Sequence, residues 1–232
     1  MPPQILILAG PNGAGKSTLA TRLVPNDVPF LNADNIAREL APEGNVGSDL
    51  TAGRLLLRRA EVKRNRASFA VETNLANRTP AARIPRWQEA GRRVRLFYIW
   101  LPSADMAVAR VAQRVRSGGH DIPETTIRRR YDSSENNEAV PVARGVVRRR
   151  GMGGNETGGK VMSGKANAVE RTFEALLDDE ALTDRLAREA VWEALRRHKR
   201  LGQEIVVWRD GKVVIMPPEE IDVPEEATVA ET

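Results

Sequence analysis

One stretch near the amino end, Gly10-Pro-Asn-Gly-Ala-Gly-Lys-Ser-Thr18, gathers the chemistry that a polyphosphate calls for. Glycines let backbone N–H groups turn inward around an anion. A lysine at position 16 supplies a compact cation to β- and γ-oxygens, and a serine hydroxyl at 17 suits a Mg²⁺ ion. The spacing matches G-x-x-x-x-G-K-[ST]. Its surroundings agree: an aliphatic run, Gln4 to Ala9, leads into the loop, and a helical stretch, Ser17 to Val24, leaves it. A helix starting there adds its positive end to the anion site. The expected ATP-binding set is therefore Gly10, Asn12, Gly13, Ala14, Gly15, Lys16, Ser17 and Thr18, with Ser17 as the Mg²⁺ ligand.

The loop needs a rigid platform, and the pattern supplies one. Gln4 to Ala9, Val28 to Asn32, Ser68 to Glu72 and Val94 to Leu101 read as strands; Ile36 to Leu40, Thr51 to Asn65 and Pro85 to Gly91 read as helical. The alternation predicts an α/β fold of the P-loop NTPase or kinase-like kind, a parallel sheet with helices on both faces. Residues 104–131 change character to helix, loop, helix, and read as a lid on a core spanning 1–131. The first lid helix, Asp105 to Arg116, puts Arg110 and Arg114 one turn apart on one face. Gly118-Gly119-His120-Asp121-Ile122 is the turn, and Pro123 opens the second helix. Residues 132–168 lack periodicity and are expected to be an irregular, disordered insertion. Residues 169–216 are expected to form helices and a hairpin turning at Asp210-Gly211. Residues 217–232 are an acidic tail, whose last dozen residues are expected to fray.

Composition bounds the partners. The chain has 232 residues, no cysteine and a net charge of +5, with arginine dense between Arg78 and Arg150. Disulfides and thiolate metal sites are excluded. No apolar run approaches the ~18 residues of a membrane span, so no membrane partner is expected. The absence of cysteine and of a signal-like start fits a cytoplasmic protein. The basic middle interleaves with acids on helical patterns and carries few aromatics for base stacking. It reads as an anion site and solvated helix faces more readily than as a nucleic-acid surface. Neither the Asn-Lys-x-Asp motif of GTPases nor the Leu-Ser-Gly-Gly-Gln signature of transporter ATPases is present, and no apolar strand ends cleanly in a Walker B aspartate. The small-molecule kinase pattern remains.

Four segments in order, the phosphate loop, Phe30-Leu-Asn-Ala-Asp34, Phe69-Ala-Val-Glu-Thr-Asn74 and Arg110-Val-Ala-Gln-Arg114-Val-Arg116-Ser-Gly-Gly-His120-Asp-Ile-Pro, resemble the zeta-toxin family of P-loop kinases. The resemblance is closest to its chromosomal branch and covers roughly Ile5 to Tyr131. The Trp-Arg-Asp-Gly-Lys hairpin also looks like the end of that branch, whereas the stretch after Tyr131 departs from it. The resemblance implies transfer of the γ-phosphate of ATP to a hydroxyl of a nucleotide sugar, UDP-N-acetylglucosamine in characterised members, and an antitoxin-type protein partner. Carried over by motif, Asp34 is the catalytic base, although an aspartate there also suits an N-cap for the helix from Ile36. Glu72 ends a strand at the edge where ligands bind in open α/β sheets. It is a candidate for holding acceptor or a metal-bound water, or is an ordinary edge carboxylate. Thr73 and Arg78 are further acceptor candidates. Arg114 and Arg128, with Lys16, are the phosphate-directed cations expected to act in catalysis, arginine being the donor that stays charged. Arg110, Arg116, Arg129 and Arg130 compete for those roles, and His120 is a candidate nucleotide contact.

Overall fold

The computed structural model describes residues 2–32, 68–74, 83–135, 147–149 and 172–224. Strand β1 (Gln4–Ala9) is buried along its whole length, which explains its unbroken aliphatic sequence. It pairs in parallel with β3 (Phe69–Thr73) on one side and β4 (Arg93–Ile99) on the other. Beyond β3 lies β2 (Phe30–Asn32), and beyond β4 lies β5 (Val147–Arg149), giving the order β2-β3-β1-β4-β5. Successive connections thus leave β1 in opposite directions. The carboxyl end of β1 is the switch point at which an open α/β sheet forms its ligand crevice.

Alternation along β1 divides the core. Ile5, Ile7 and Ala9 pack with Val71, Leu96 and Tyr98 under α2 (Ile84–Glu89), where Trp87 meets Phe69 edge to face at 5.8 Å. Leu6 and Leu8 pack on the other face, against Leu19 and Leu23 of α1 (Lys16–Leu23) and Phe173 and Leu177 of α5 (Phe173–Asp178). Helix α6 (Glu180–Arg200) covers α1, and Arg22 pairs with Glu193 at 2.7 Å. Both C-terminal helices start at polar caps: Thr172 Oγ1 accepts from Ala175 N–H and Asp179 Oδ1 from Leu182 N–H.

The lid consists of α3 (Ala104–Arg116), capped by Ser103 Oγ accepting from Met106 N–H, and α4 (Glu124–Glu135). Strands β6 (Ile205–Arg209) and β7 (Lys212–Met216) form the hairpin. Its turn residues have φ 52° at Asp210 and 77° at Gly211, the left-handed pair a two-residue hairpin requires. The hairpin packs on the lid through Val206, Trp208 and Val213.

Two features differ from the sequence reading. Within residues 132–168, read as irregular, α4 continues to Glu135 and Val147–Arg149 forms the edge strand β5. Three residues, two of them arginine, are too few to show an alternation. The start of the acidic tail is packed: Ile221 is 1% exposed among Ile205 and Met216, and its carbonyl accepts from Lys199 Nζ at 2.8 Å. The helices expected at Ile36 to Leu40 and Thr51 to Asn65 lie outside the described residues.

Candidate active site

The phosphate loop follows β1 without slack. Gly10 has φ 143°, and a Cβ there would stand 2.3 Å from the Ile99 carbonyl oxygen of β4, so only glycine fits. Gly13, at φ 77°, is pressed against the lid: its virtual Cβ lies 2.9 Å from Arg110 Cβ and 3.1 Å from the Ala107 carbonyl. Gly15 is left-handed at the start of α1. Ala14 packs into the lid core with Leu101, Met106 and Val206. The loop is therefore clamped between the sheet edge and helix α3.

A polar cluster lies against it. Lys16 is 6% exposed, and its ammonium donates to the carbonyls of Gly10 and Pro11, each at 3.0 Å, and to Asn74 Oδ1 at 2.9 Å. Glu72, 8% exposed at the end of β3, accepts at 2.9 Å from Ser17 Oγ and at 2.9 Å from Asn32 Nδ2 through the same oxygen. Its other oxygen stands 3.9 Å from the Lys16 nitrogen. A buried carboxylate is tolerable because it is paired and hydrogen-bonded. The strand registers bring this about: Asn32 lies opposite Glu72, and Glu72 opposite Leu8, one residue before the end of β1. Thr73 ends the same strand opposite Ala9 and is partly exposed.

The lid contributes unequally. A cleft of about 880 Å³ runs from Ser17, Ala20 and Thr21 of α1 past Phe30 and Asn32 to Arg114, Gly118, Gly119 and His120 of the lid turn. Arg114 donates to the His120 carbonyl at 2.9 Å and so faces the same cleft as Ser17. Arg128 is held elsewhere, by Asp105 at 2.7 Å and Glu124 at 2.8 Å. Those two hydrogen bonds raise the pKa of an already permanent cation. The two lid arginines are thus not brought together: one lines the cleft and the other ties α4 to the start of α3. Arg110 donates to the Val206 carbonyl at 3.1 Å, linking lid and hairpin, and its burial lowers its pKa. Asp34 and Arg78 lie outside the described residues. Asn32 and Asn74 are members of the cluster that sequence reasoning did not single out. The signal was present for Asn74, since it stands two residues beyond Glu72 and an extended chain repeats its facing every second residue.

A polyphosphate with its Mg²⁺ fits these residues. Asn12 is buried in the loop, and its Oδ1 has no hydrogen-bond partner. Lys16 and the backbone of a loop ending at a helix start offer an anion site. Ser17 and Glu72 offer the hard oxygen donors that Mg²⁺ takes.

Sheet order, loop and loop-facing lysine together define a P-loop NTPase-type α/β protein. The chain belongs to the AAA domain family (AAA_33), whose model matches residues 5–136. It is similar to an uncharacterized protein of Haemophilus influenzae, 31% identical over 128 residues that make up 54% of this chain and 91% of that one. Among solved structures it is similar to shikimate kinase from Acinetobacter baumannii, at 16% identity and a TM-score of 0.42 over 85% of this chain and 95% of that chain. A gluconokinase from Sinorhizobium meliloti matches at 15% identity and a TM-score of 0.43, over 83% and 98% of the respective chains. A chain of the PezAT chromosomal toxin-antitoxin system of Streptococcus pneumoniae matches at 17% and 0.42, over 50% and 54%. No helix among the described residues is long and apolar enough to cross a membrane.

Proposed function

We propose that the chain is an ATP-dependent phosphotransferase of zeta-toxin type, acting on a hydroxyl of a nucleotide sugar such as UDP-N-acetylglucosamine. The observation that carries this reading is that Ser17 of α1 and Arg114 of the lid helix α3 line one cleft, with Glu72 at the end of β3 bonded to the Ser17 hydroxyl and 3.9 Å from the Lys16 nitrogen. When bound, ATP supplies the transferable phosphoryl group, and Mg²⁺ neutralises charge on it. Lys16 and the loop backbone bind the phosphates. Ser17 is the protein's metal ligand, and Glu72, already bonded to the Ser17 hydroxyl, orients it and holds water on the metal side. Arg114 stabilises charge on the transferred group, and Arg128 joins it by exchanging Asp105 and Glu124 for phosphate. His120, on the lid turn, contacts the nucleotide. Asp34, two residues beyond Asn32 in the sequence, is the proposed base, and Thr73 and Arg78 are proposed to hold the acceptor with Glu72. The family resemblance also suggests an antitoxin-type protein partner.

An acceptor screen with [γ-³²P]ATP, run on the wild type beside Lys16→Ala, tests this. The expected result is label on a UDP-sugar, reduced at least about a hundredfold in the variant, as when a charge-stabilising donor is removed. Label only on nucleosides, cofactor precursors or oligonucleotide ends would move the protein to another acceptor class. Nucleotide binding without acceptor-dependent turnover would make it a binding module.

A further inference from the structure

Lys16 is held at 2.9–3.0 Å by three neutral acceptors: the carbonyls of Gly10 and Pro11 on the loop side and the side-chain oxygen of Asn74 on the sheet side. The carboxylate of Glu72 stands off at 3.9 Å. An ammonium carries three N–H donors, and each of these acceptors lies within hydrogen-bond distance of it. Two of them are fixed backbone groups of the loop that Lys16 serves. Asn74 is the one contributed by a side chain from a different element, 58 residues away in sequence.

We propose that Asn74 is a positioning residue for Lys16. Its amide oxygen draws the ammonium across the mouth of the loop, and because it is neutral it yields that ammonium to phosphate oxygens when a triphosphate arrives. This rests on the reading of Lys16 as the phosphate-binding cation. The neutrality matters. A carboxylate in the same place would make a charge-assisted bond roughly twice as strong as a neutral one, and would set a negative charge beside the phosphates. An apolar residue would remove the one side-chain amide oxygen that the ammonium meets across the loop. The site thus pairs two residues from one strand end with two distinct tasks: Glu72 keeps its charge for the Ser17 hydroxyl, and Asn74 withholds charge from Lys16.

The nearly isosteric Asn74→Asp variant separates charge from shape. In the full chain, ATP·Mg²⁺ binding measured by calorimetry should weaken at least about tenfold at about pH 8, where the new carboxyl is ionised. Phosphate arriving beside that carboxyl favours its protonated form. The deficit relative to wild type should therefore shrink as pH falls toward about 5, a dependence the asparagine lacks. Asn74→Ala should weaken binding without that added pH dependence. The melting temperature of each ligand-free variant is measured alongside. Wild-type affinity in both variants, or an Asn74→Asp deficit that is the same at every pH, would overturn the proposal while leaving the phosphate-loop reading intact. A wild type that binds no ATP would overturn that reading and the proposal with it.

Discussion

Strand β1 carries a polar network at each end, and the two are built to opposite plans. At the amino end, Gln4 is fully buried and donates to the Glu174 carbonyl at 3.0 Å and to Asp178 at 3.2 Å. Asp178 also takes Arg93 at 2.7 Å and Arg95 at 3.0 Å. There, carboxylate and guanidinium meet directly, and the network ties α5 to the starts of β1 and β4. At the carboxyl end, the Lys16 ammonium lies closer to neutral oxygens than to Glu72. Asn12 presents an unpartnered buried Oδ1 inside the loop. The first network matches charge with charge and serves stability. The second holds its cation chiefly by neutral oxygens, which yield it to an anion more readily than a carboxylate would. Gln4 too leaves its Oε1 unpartnered, but its amide nitrogen is fully used, so the contrast rests chiefly on how the charges are matched.

The largest effect expected at the carboxyl end comes from Gly10→Ala. The added Cβ would meet the Ile99 carbonyl oxygen at 2.3 Å in a backbone conformation that L-residues rarely adopt. Because the obstacle is backbone, relief means parting β1 from β4 or reshaping the loop. The variant should lose on the order of 3 kcal/mol of stability and its nucleotide binding together, read by thermal melting and by titration. A variant that melts and binds as wild type does would break the claim that this end is rigidly preset.

The lid supplies the next test, because its two candidate arginines repeat the same contrast on a smaller scale. Among the described residues, Arg114 faces the cleft and is held at the lid turn by a carbonyl. Arg128 is matched with two carboxylates, like the groups at the amino end of β1. Arg114→Ala should cut phosphoryl transfer about a hundredfold or more with little change in melting temperature. Arg128→Ala should cost less. Equal losses of transfer would mean that Arg128 acts on the phosphates as fully as Arg114 does, and the contrast within the lid would fall.

Legibility in the sequence followed burial. Strand β1 and the loop could be read because a strand covered on both faces is a continuous aliphatic run, and the loop's glycines are demanded by local backbone geometry. The hairpin was legible through Asp210-Gly211 for the same local reason. Glu72 was legible from its place at a strand end. The bond between Lys16 and Asn74 was not, since it joins elements whose adjacency only the sheet order establishes. Arg128 could not be told from Arg129 or Arg130, because what distinguishes it is Asp105, 23 residues away on another helix. Strand β5 is short and lies at the sheet edge, so it carries no pattern of its own.

The smallest effect is expected at the amino end of β1, and it is a matter of pH. Burial alone would raise the Asp178 pKa. The hydrogen bonds from Arg95 and Gln4 and the charge of Arg93 outweigh it and hold the carboxyl below its ordinary value. A carboxyl with a depressed folded-state pKa contributes stability that is fully present above the unfolded-state value, near pH 4, and is lost as pH falls through the folded value. The arginines are partly solvated, so the contribution is at most about 1 kcal/mol. Asp178→Asn should therefore melt slightly below wild type at neutral pH, and the gap should close as pH falls below about 4. ATP affinity should stay unchanged throughout, because the Asp178 network lies at the opposite end of β1 from Lys16. A drop in ATP affinity with Asp178→Asn would mean that the two ends of β1 are coupled through the strand, and that the closed network holds the open one in shape.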